Sequence, residues 1–421
     1  MKKFLKNLSI IAAALTFTSC SNSVEIKELG ANQEMKFTVT AASSSRAWEI
    51  YSNNNKPDAI KVTAYNSANG KAYFLNQTYV KDGNLYTEEG STRYWPQENF
   101  TLKFYSLSAN NLVSKLGGTG VRIYMTEPNC NTTTPYIRFE KYIKNAAEQE
   151  DLLYAYTEAG KPTSTSTGTP INFRHAFSMV AFKASNNMGK VQIKIDEIRL
   201  GYYATKGTFY FPTKSTSGDA SDAETVCEWG KSSYLTPGTS PGFGDTDWWT
   251  DSYKPEDLIY TKLPKTIVIN PGESSNLTYT ENNVPEQNPE YGYPFILIPY
   301  YAPAWYPREG NKPWSGQVAA GDFGCYLMVK CSIQNISEDA DGALPNENDA
   351  YVWGNKNSTE FLLIPWSLDH KAGKKYIYTL NFTGNGNNAY DPGTITPVAV
   401  PVNFSVTVDD FTDAKNIDLE K

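Results

Sequence analysis

Histidine is almost missing from this chain: His175 and His370 are the only two in 421 residues. With no HExxH pattern either, few nitrogen ligands remain for a catalytic metal or for general-base chemistry. His175 lies in the apolar run NFRHAFSMVAF and reads as a hydrogen-bonded strand residue rather than a base. Basic clusters are missing too. Lys and Arg number 38 against 45 Asp and Glu, a net charge of −7 with no concentrated positive footprint, which argues against a nucleic-acid partner. Cysteine is scarce, and Cys130, Cys227, Cys325 and Cys331 are too scattered after Cys20 to form a disulfide framework for so long a chain. Cys325 and Cys331, in CYLMVKC, would stand about 20 Å apart along a strand, too far to bridge each other. The sequence leaves any other pairing of the four open.

Long apolar runs are also lacking, with one exception at the N-terminus. Lys2, Lys3 and Lys6 precede LSIIAAALTF, a run too short to span a bilayer as a helix but suited to an export signal. It ends at Thr18-Ser19-Cys20, which resembles the lipobox of bacterial lipoproteins, although Phe17 stands where Leu or Val is usual. The expectation is a signal over 1–20 and lipidation of Cys20, with the mature protein held at the outer membrane and cell surface by lipid. An ordinary secretory signal with a chance cysteine is the competing reading.

Helical periodicity is nearly absent, confined to a short stretch of EKYIKNAAEQEDLLYA. What is present is strand. Aromatics make up 14%, led by 29 tyrosines, and runs such as AIKVTAY, FTLKFYSLSA, KVQIKIDEIRLGYY and CYLMVKCSI are separated by Asn, Gly, Pro and Ser. The reading is an all-β chain of two antiparallel Greek-key sandwiches. The low-complexity KPTSTSTGTP (161–170) has little to bury, so the boundary falls there: 47–170, then 171–421.

Catalytic patterns are poor. GTSPG (238–242) has the GxSxG spacing, but Pro237 and Pro241 in a Gly-rich loop leave no strand-turn-helix for a nucleophile elbow. EDADG lacks the spaced ligands of a calcium loop. No enzyme activity, cofactor or metal is expected. Aromatic loops are more suggestive: Trp248 and Trp249 in DTDWWTDSY, and Trp305 and Trp314 in PYYAPAWYPREGNKPW. Such rings stack on sugars when exposed, or plug the ends of a sandwich when buried.

Two strands share one pattern. In EMKFTVTA, Met35, Phe37, Val39 and Ala41 alternate with polar residues, and the flexible SSSR ending at Arg46 follows, a good protease substrate. In VAVPVNFSVTV, Val398, Val400, Val402, Phe404, Val406 and Val408 share one face after a loose linker (383–394), with Pro401 suited to an edge. One strand removable and one mobile is what strand exchange requires. Both strands simply pairing within one monomer is the alternative.

The order of motifs resembles the fimbrillin-like proteins of Bacteroidetes, subunits of type V pili. The matching pieces are Arg46-Ala47, YWPQENFTLKFYSLSA (94–109), EDLLYAYTEA (150–159), INFRHAFSMVAFKA (171–184), HKAGKKYIYTLNF (370–382) and VNFSVTVDDF (402–411). The last has Phe411 where the family often has Trp. The resemblance implies transthyretin-like sandwiches, a propeptide over 21–46 cleaved between Arg46 and Ala47, and a role in fimbriae and adhesion. Its expected partners are other pilin subunits, the outer membrane through the lipid, and a host or bacterial surface glycan or protein. A monomeric glycan-binding surface lipoprotein is the rival reading. Replacing Cys20 with Ala should abolish incorporation of a fatty-acid analogue in cells, and equal labelling of the variant would exclude lipidation there.

Overall fold

The computed structural model describes residues 33–41, 45–46, 49–50, 56–98, 100–108, 121–125, 135–141, 143–164, 167–204, 206–216, 228–229, 258–280, 289–308, 312–313, 324–338, 345, 350–383 and 388–410. Among these, regular structure is strand throughout, except for one 3₁₀ turn, Ala146–Glu148. The turn falls inside the stretch with helical periodicity. Asn145 caps it by accepting from the Ala147 amide, and Gln149 leaves it in extended conformation.

The N-terminal unit is a closed seven-strand barrel. In spatial order its strands are Phe37–Ala41, Thr169–His175, Leu153–Ala159, Leu102–Ser108, Ala59–Asn66, Ala72–Asp82 and Leu85–Glu88, which returns to the first. Ile60, Val62, Tyr79, Phe104, Ile171 and Phe173 fill its interior. In Leu102–Ser108 the residues from Phe104 to Ser108 are all buried, without alternation. The reason is a second layer: the sheet built on Lys206–Tyr210 packs against the outside, with Phe209 on Tyr154 and Phe211 on Tyr105, ring centres 5.2 and 5.1 Å apart. A strand covered on both faces cannot show period-2 polarity.

The C-terminal unit is an eleven-strand sheet in which Ile259–Ile269, Val191–Gly201, Tyr326–Asn335 and Glu360–Pro365 form one part, and Lys374–Phe382 with Ser178–Asn186 the other. The two parts share a core that includes Ile193, Val329 and Cys331 from one and Phe182 and Leu380 from the other. They are joined by Pro397–Asp410. Its first residues pair with Asn388–Tyr390, and the stretch 402–410 pairs antiparallel with Lys374–Phe382. The chain is thus all-β and sandwich-like in two units, the first of them closed into a barrel. Cys325 and Cys331 are buried free thiols, behaving as small hydrophobes; Cys130 and Cys227 lie outside the described residues, as do GTSPG and most of EDADG.

The units meet later than the low-complexity stretch suggests. Thr169–His175 belongs to the barrel because Ile171 and Phe173 point into its core. Residues 206–216 also return to the first unit: Thr216 accepts from the Tyr156 amide at 3.1 Å and donates to the Asn172 carbonyl at 2.7 Å. A boundary at 170 cuts through that strand. Polarity marked where the chain cannot bury itself, not where one core ends.

His370 is enclosed in the second unit, its ring 4.2 Å from that of Tyr376 and its Nε2 3.0 Å from the Tyr378 hydroxyl. Burial lowers its pKa to about 3. Below about 6.5 the unfolded chain takes up a proton here that the folded chain refuses until about 3, so stability falls as pH falls through that window. The slope for one such group is about 1.4 kcal/mol per pH unit. Urea unfolding of His370→Gln should therefore weaken less steeply between pH 6.5 and 4 than the parent; parallel curves would show that this ring does not drive the acid response.

Candidate functional site

The site is the slot holding Phe37–Ala41, here called the opening strand. Its backbone runs parallel to Thr169–His175, with Phe37 opposite Thr169, Val39 opposite Ile171 and Ala41 opposite Phe173. On the other side Phe37 pairs antiparallel with Tyr86. Before the strand proper, the Met35 amide donates to the Arg93 carbonyl at 2.7 Å, and the Trp95 amide donates to the Gln33 carbonyl at 2.9 Å. That receiving loop is held by Arg93, whose guanidinium meets buried Glu88 in two bonds of 3.1 and 2.8 Å and stacks over Phe74.

The alternation in EMKFTVT becomes burial. Met35, Phe37 and Val39 are each fully buried, while Thr40 is exposed. Phe37 meets Tyr79 and Phe104 edge to face at 4.7 and 5.2 Å. Burial pushes the Tyr79 phenol upward, and the Glu88 carboxylate adds to the shift, so the ring enters the core protonated. Each of the three apolar side chains contributes about 1.5–3 kcal/mol at most.

One contributor was not singled out in the sequence. A Cβ on Gly168 would lie 2.6 Å from the Phe37 carbonyl carbon and 2.7 Å from the Thr38 nitrogen. Only glycine lets the backbone before Thr169 come this close, and the Thr169 amide then donates to the Lys36 carbonyl at 2.7 Å. The available signal was a glycine just ahead of an alternating Ile171-Phe173 pair, hidden in a low-complexity stretch read as the domain boundary.

The sequence profile of the fimbrillin-like family matches residues 45–299. The chain belongs to the fimbrillin-like family. No curated protein matches it. Among solved structures, this fimbrillin-like chain is similar to a candidate cell adhesion protein of Parabacteroides distasonis, at 10% identity and TM-score 0.45, over 91% of this chain and 100% of that one. A second is a candidate cell adhesion protein of Bacteroides ovatus, at 14% identity and TM-score 0.38, over 92% and 100%.

The other sequence-derived positions fall as follows. Cys20, Ala47, Trp248, Trp249 and Trp314 lie outside the described residues. Arg46 pairs through its backbone with Glu49, in a two-residue ladder Ser45–Arg46 with Glu49–Ile50. Trp305 is a correction: it is 1% exposed and packs with Tyr326 and Tyr390, so its ring faces are taken by the fold and cannot stack on a ligand.

The strand over 398–408 is seated in its own unit, and the linker before it is less loose than its composition suggests. Asn388–Tyr390 forms a ladder with it, and Ile395, at a positive φ of 58°, is buried in the turn between them. Its apolar face divides. Val400 and Val402 are buried and Val398 and Phe404 half-buried, whereas Val406 and Val408 are 50% and 52% exposed. Beyond residue 402 this strand pairs with Lys374–Phe382 on one side and, among the described residues, forms the edge of that sheet.

Gly168→Ala should loosen the opening strand by about 1–3 kcal/mol, because the displaced atoms are backbone. Amide exchange over 36–41 should accelerate, while Gly189→Ala, whose Cβ would meet nothing within 4 Å, should change nothing. Unaltered exchange in the first variant would show that the slot accommodates a side chain at this position.

Proposed function

We propose that this chain is a fimbrial subunit precursor that is lipidated at Cys20, cut between Arg46 and Ala47, and then polymerises by strand exchange to mediate cell adhesion. The observation that carries this reading is the opening strand. It is a fully packed barrel strand, yet it precedes the protease-susceptible SSSR, and the fimbrillin-like match begins only at residue 45, past its end.

Cutting after Arg46 removes the covalent tie between the strand and the barrel. Departure of the strand would expose the Phe37 pocket of Tyr79 and Phe104, together with the unpaired backbone edge of Thr169–His175. Such an edge is a template for another strand. Residues 398–408 of a neighbouring subunit suit it by alternation, and Val406 and Val408 already face solvent at an edge. Head-to-tail addition of this kind leads to an open filament rather than a closed ring. In this reading the cut also parts the subunit from the lipid at Cys20, so a separate anchor subunit would be needed, and the surface of the assembled filament meets the host or bacterial partner.

The donor's inner half supports its own unit, since Val400 and Val402 are buried there. A deletion of the whole strand would confuse misfolding with failed assembly. The sharper variant is Val406→Asp with Val408→Asp, which should leave the monomer's unfolding midpoint nearly unchanged because both side chains are half exposed. After trypsin treatment the parent should give filaments by electron microscopy. The double variant and Arg46→Ala should each remain monomeric. Filaments of normal length from the double variant would remove 398–408 as the donor.

A further inference from the structure

The outer face of the C-terminal sheet carries a polar cavity of about 340 Å³ that strand exchange does not use. Its floor is Val191–Gly201 beside Tyr326–Asn335, and its wall is the hairpin around residues 355–359. Three features make it a built site rather than a surface dip. The first is a bulge. The register of Val191–Gly201 slips between Ile195 and Glu197 against both neighbouring strands: Asp196 is the extra residue opposite Tyr326–Asn335, whereas opposite Ile259–Ile269 residues 263–266 are skipped as well. A bulge of this kind re-aims one side chain. Here it turns Asp196 onto the outer face, where its two carboxylate oxygens accept from Thr266 and Thr359, each at 2.6 Å. The aspartate thus ties the wall to the floor.

The second feature is the wall itself. Asn355 accepts from the amides of Asn357 and Ser358, both at 2.9 Å, which closes the hairpin. Gly354, at φ 69°, lets it sit down on Tyr326–Asn335, since a Cβ there would lie 2.9 Å from that of Ser332. The third is charge. Lys194, Lys330 and Lys356 line the cavity against the single Asp196, in a chain whose net charge is −7. Lys194 faces Ser332 across the ladder and Lys330 faces Glu197, so the two lysines are diagonal neighbours, about 7–8 Å apart at the backbone. Glu197 is engaged by Arg199 at 2.6 Å, and among the described residues neither Lys194 nor Lys330 forms an ion pair, the Lys330 ammonium lying 5.9 Å from the centre of the Phe361 ring.

We infer that this cavity binds an acidic sugar residue, a uronate or a sialate, with Lys194 and Lys330 converging on its carboxylate. The rest of the lining is hydroxyl and amide, including Ser332 and Asn357, which suits the hydroxyls of a pyranose. The volume is at the small end of the range for ligand sites, about 300–1,000 Å³, and matches a terminal or branch sugar better than a long chain. Three lysines are too few for a nucleic-acid track.

The test is calorimetric titration of the full chain with trigalacturonate and with 3′-sialyllactose, using maltotriose and lactose as neutral counterparts. At least one acidic probe should bind, more weakly as salt rises, and the arm that responds identifies the source of the carboxylate. Lys194→Gln with Lys330→Gln should weaken that binding at least about tenfold, the effect of losing charge-assisted bonds. Lys81→Gln with Lys161→Gln removes the same charge from exposed positions elsewhere and should bind as the parent does. Failure of both acidic probes to bind the parent overturns the assignment. So does equal binding of the neutral sugars, or an equal loss in the Lys81 and Lys161 control. Polymerisation plays no part in this readout.

Discussion

Closure of the barrel is the constraint on which the rest of the molecule depends. A sheet that curls on itself without meeting leaves two rows of unpaired amides and carbonyls and an open core. Here the meeting is made by five residues, Phe37–Ala41, set between Thr169–His175 and Leu85–Glu88. Everything around that strand serves its fit. The Arg93–Glu88 bridge holds the loop that receives Met35, Gly168 lets the neighbouring backbone approach, and Tyr79 and Phe104 form the pocket for Phe37. The strand is therefore both essential to the barrel and attached to it from the far N-terminal side, a combination with an obvious use if it is meant to be replaced.

The closing strand, Pro397–Asp410, meets a complementary demand. Its first half joins two parts of one sheet, and its second half is an edge. Burial follows that division: Val400 and Val402 inside, Val406 and Val408 outside. Six apolar residues on one face look uniform as sequence, but they occupy two environments. Under the strand-exchange reading the exposed pair would make first contact with a neighbour, while the buried pair holds the strand at home until a better slot is offered.

Much of this was legible in the residues, and what was not has physical causes. The all-β class followed from alternation and turn residues, and EMKFTVT announced both a strand and its buried face. Loss of alternation in Leu102–Ser108 hid the second layer, because double burial removes the polar half of the pattern. For Trp305 the composition of PYYAPAWYP left exposure and burial both open, and the ring is enclosed by Tyr326 and Tyr390. The bulge at Asp196 was readable but unread. In KVQIKIDEIRL the apolar residues step by two through Val191, Ile193 and Ile195, then by three to Ile198, and that slip is the bulge. Which lysines share a cavity depends on pairing between distant strands and on a hairpin 160 residues away, and no local pattern carries that.

The parallel pairing of the opening strand also bears on the order of events when the chain folds. Thr38 and Pro170 are partners 132 residues apart, and a parallel ladder cannot form by a simple hairpin. Contacts this distant in sequence carry a large loop-closure cost and form late. Phe37–Ala41, first in sequence among the barrel's strands, is thus among the last to dock. Until Thr169–His175 is in place, the barrel remains unclosed and its edges open to any strand nearby. A chain built this way keeps an open barrel edge, exposed to mispairing, until Phe37–Ala41 docks beside Thr169–His175.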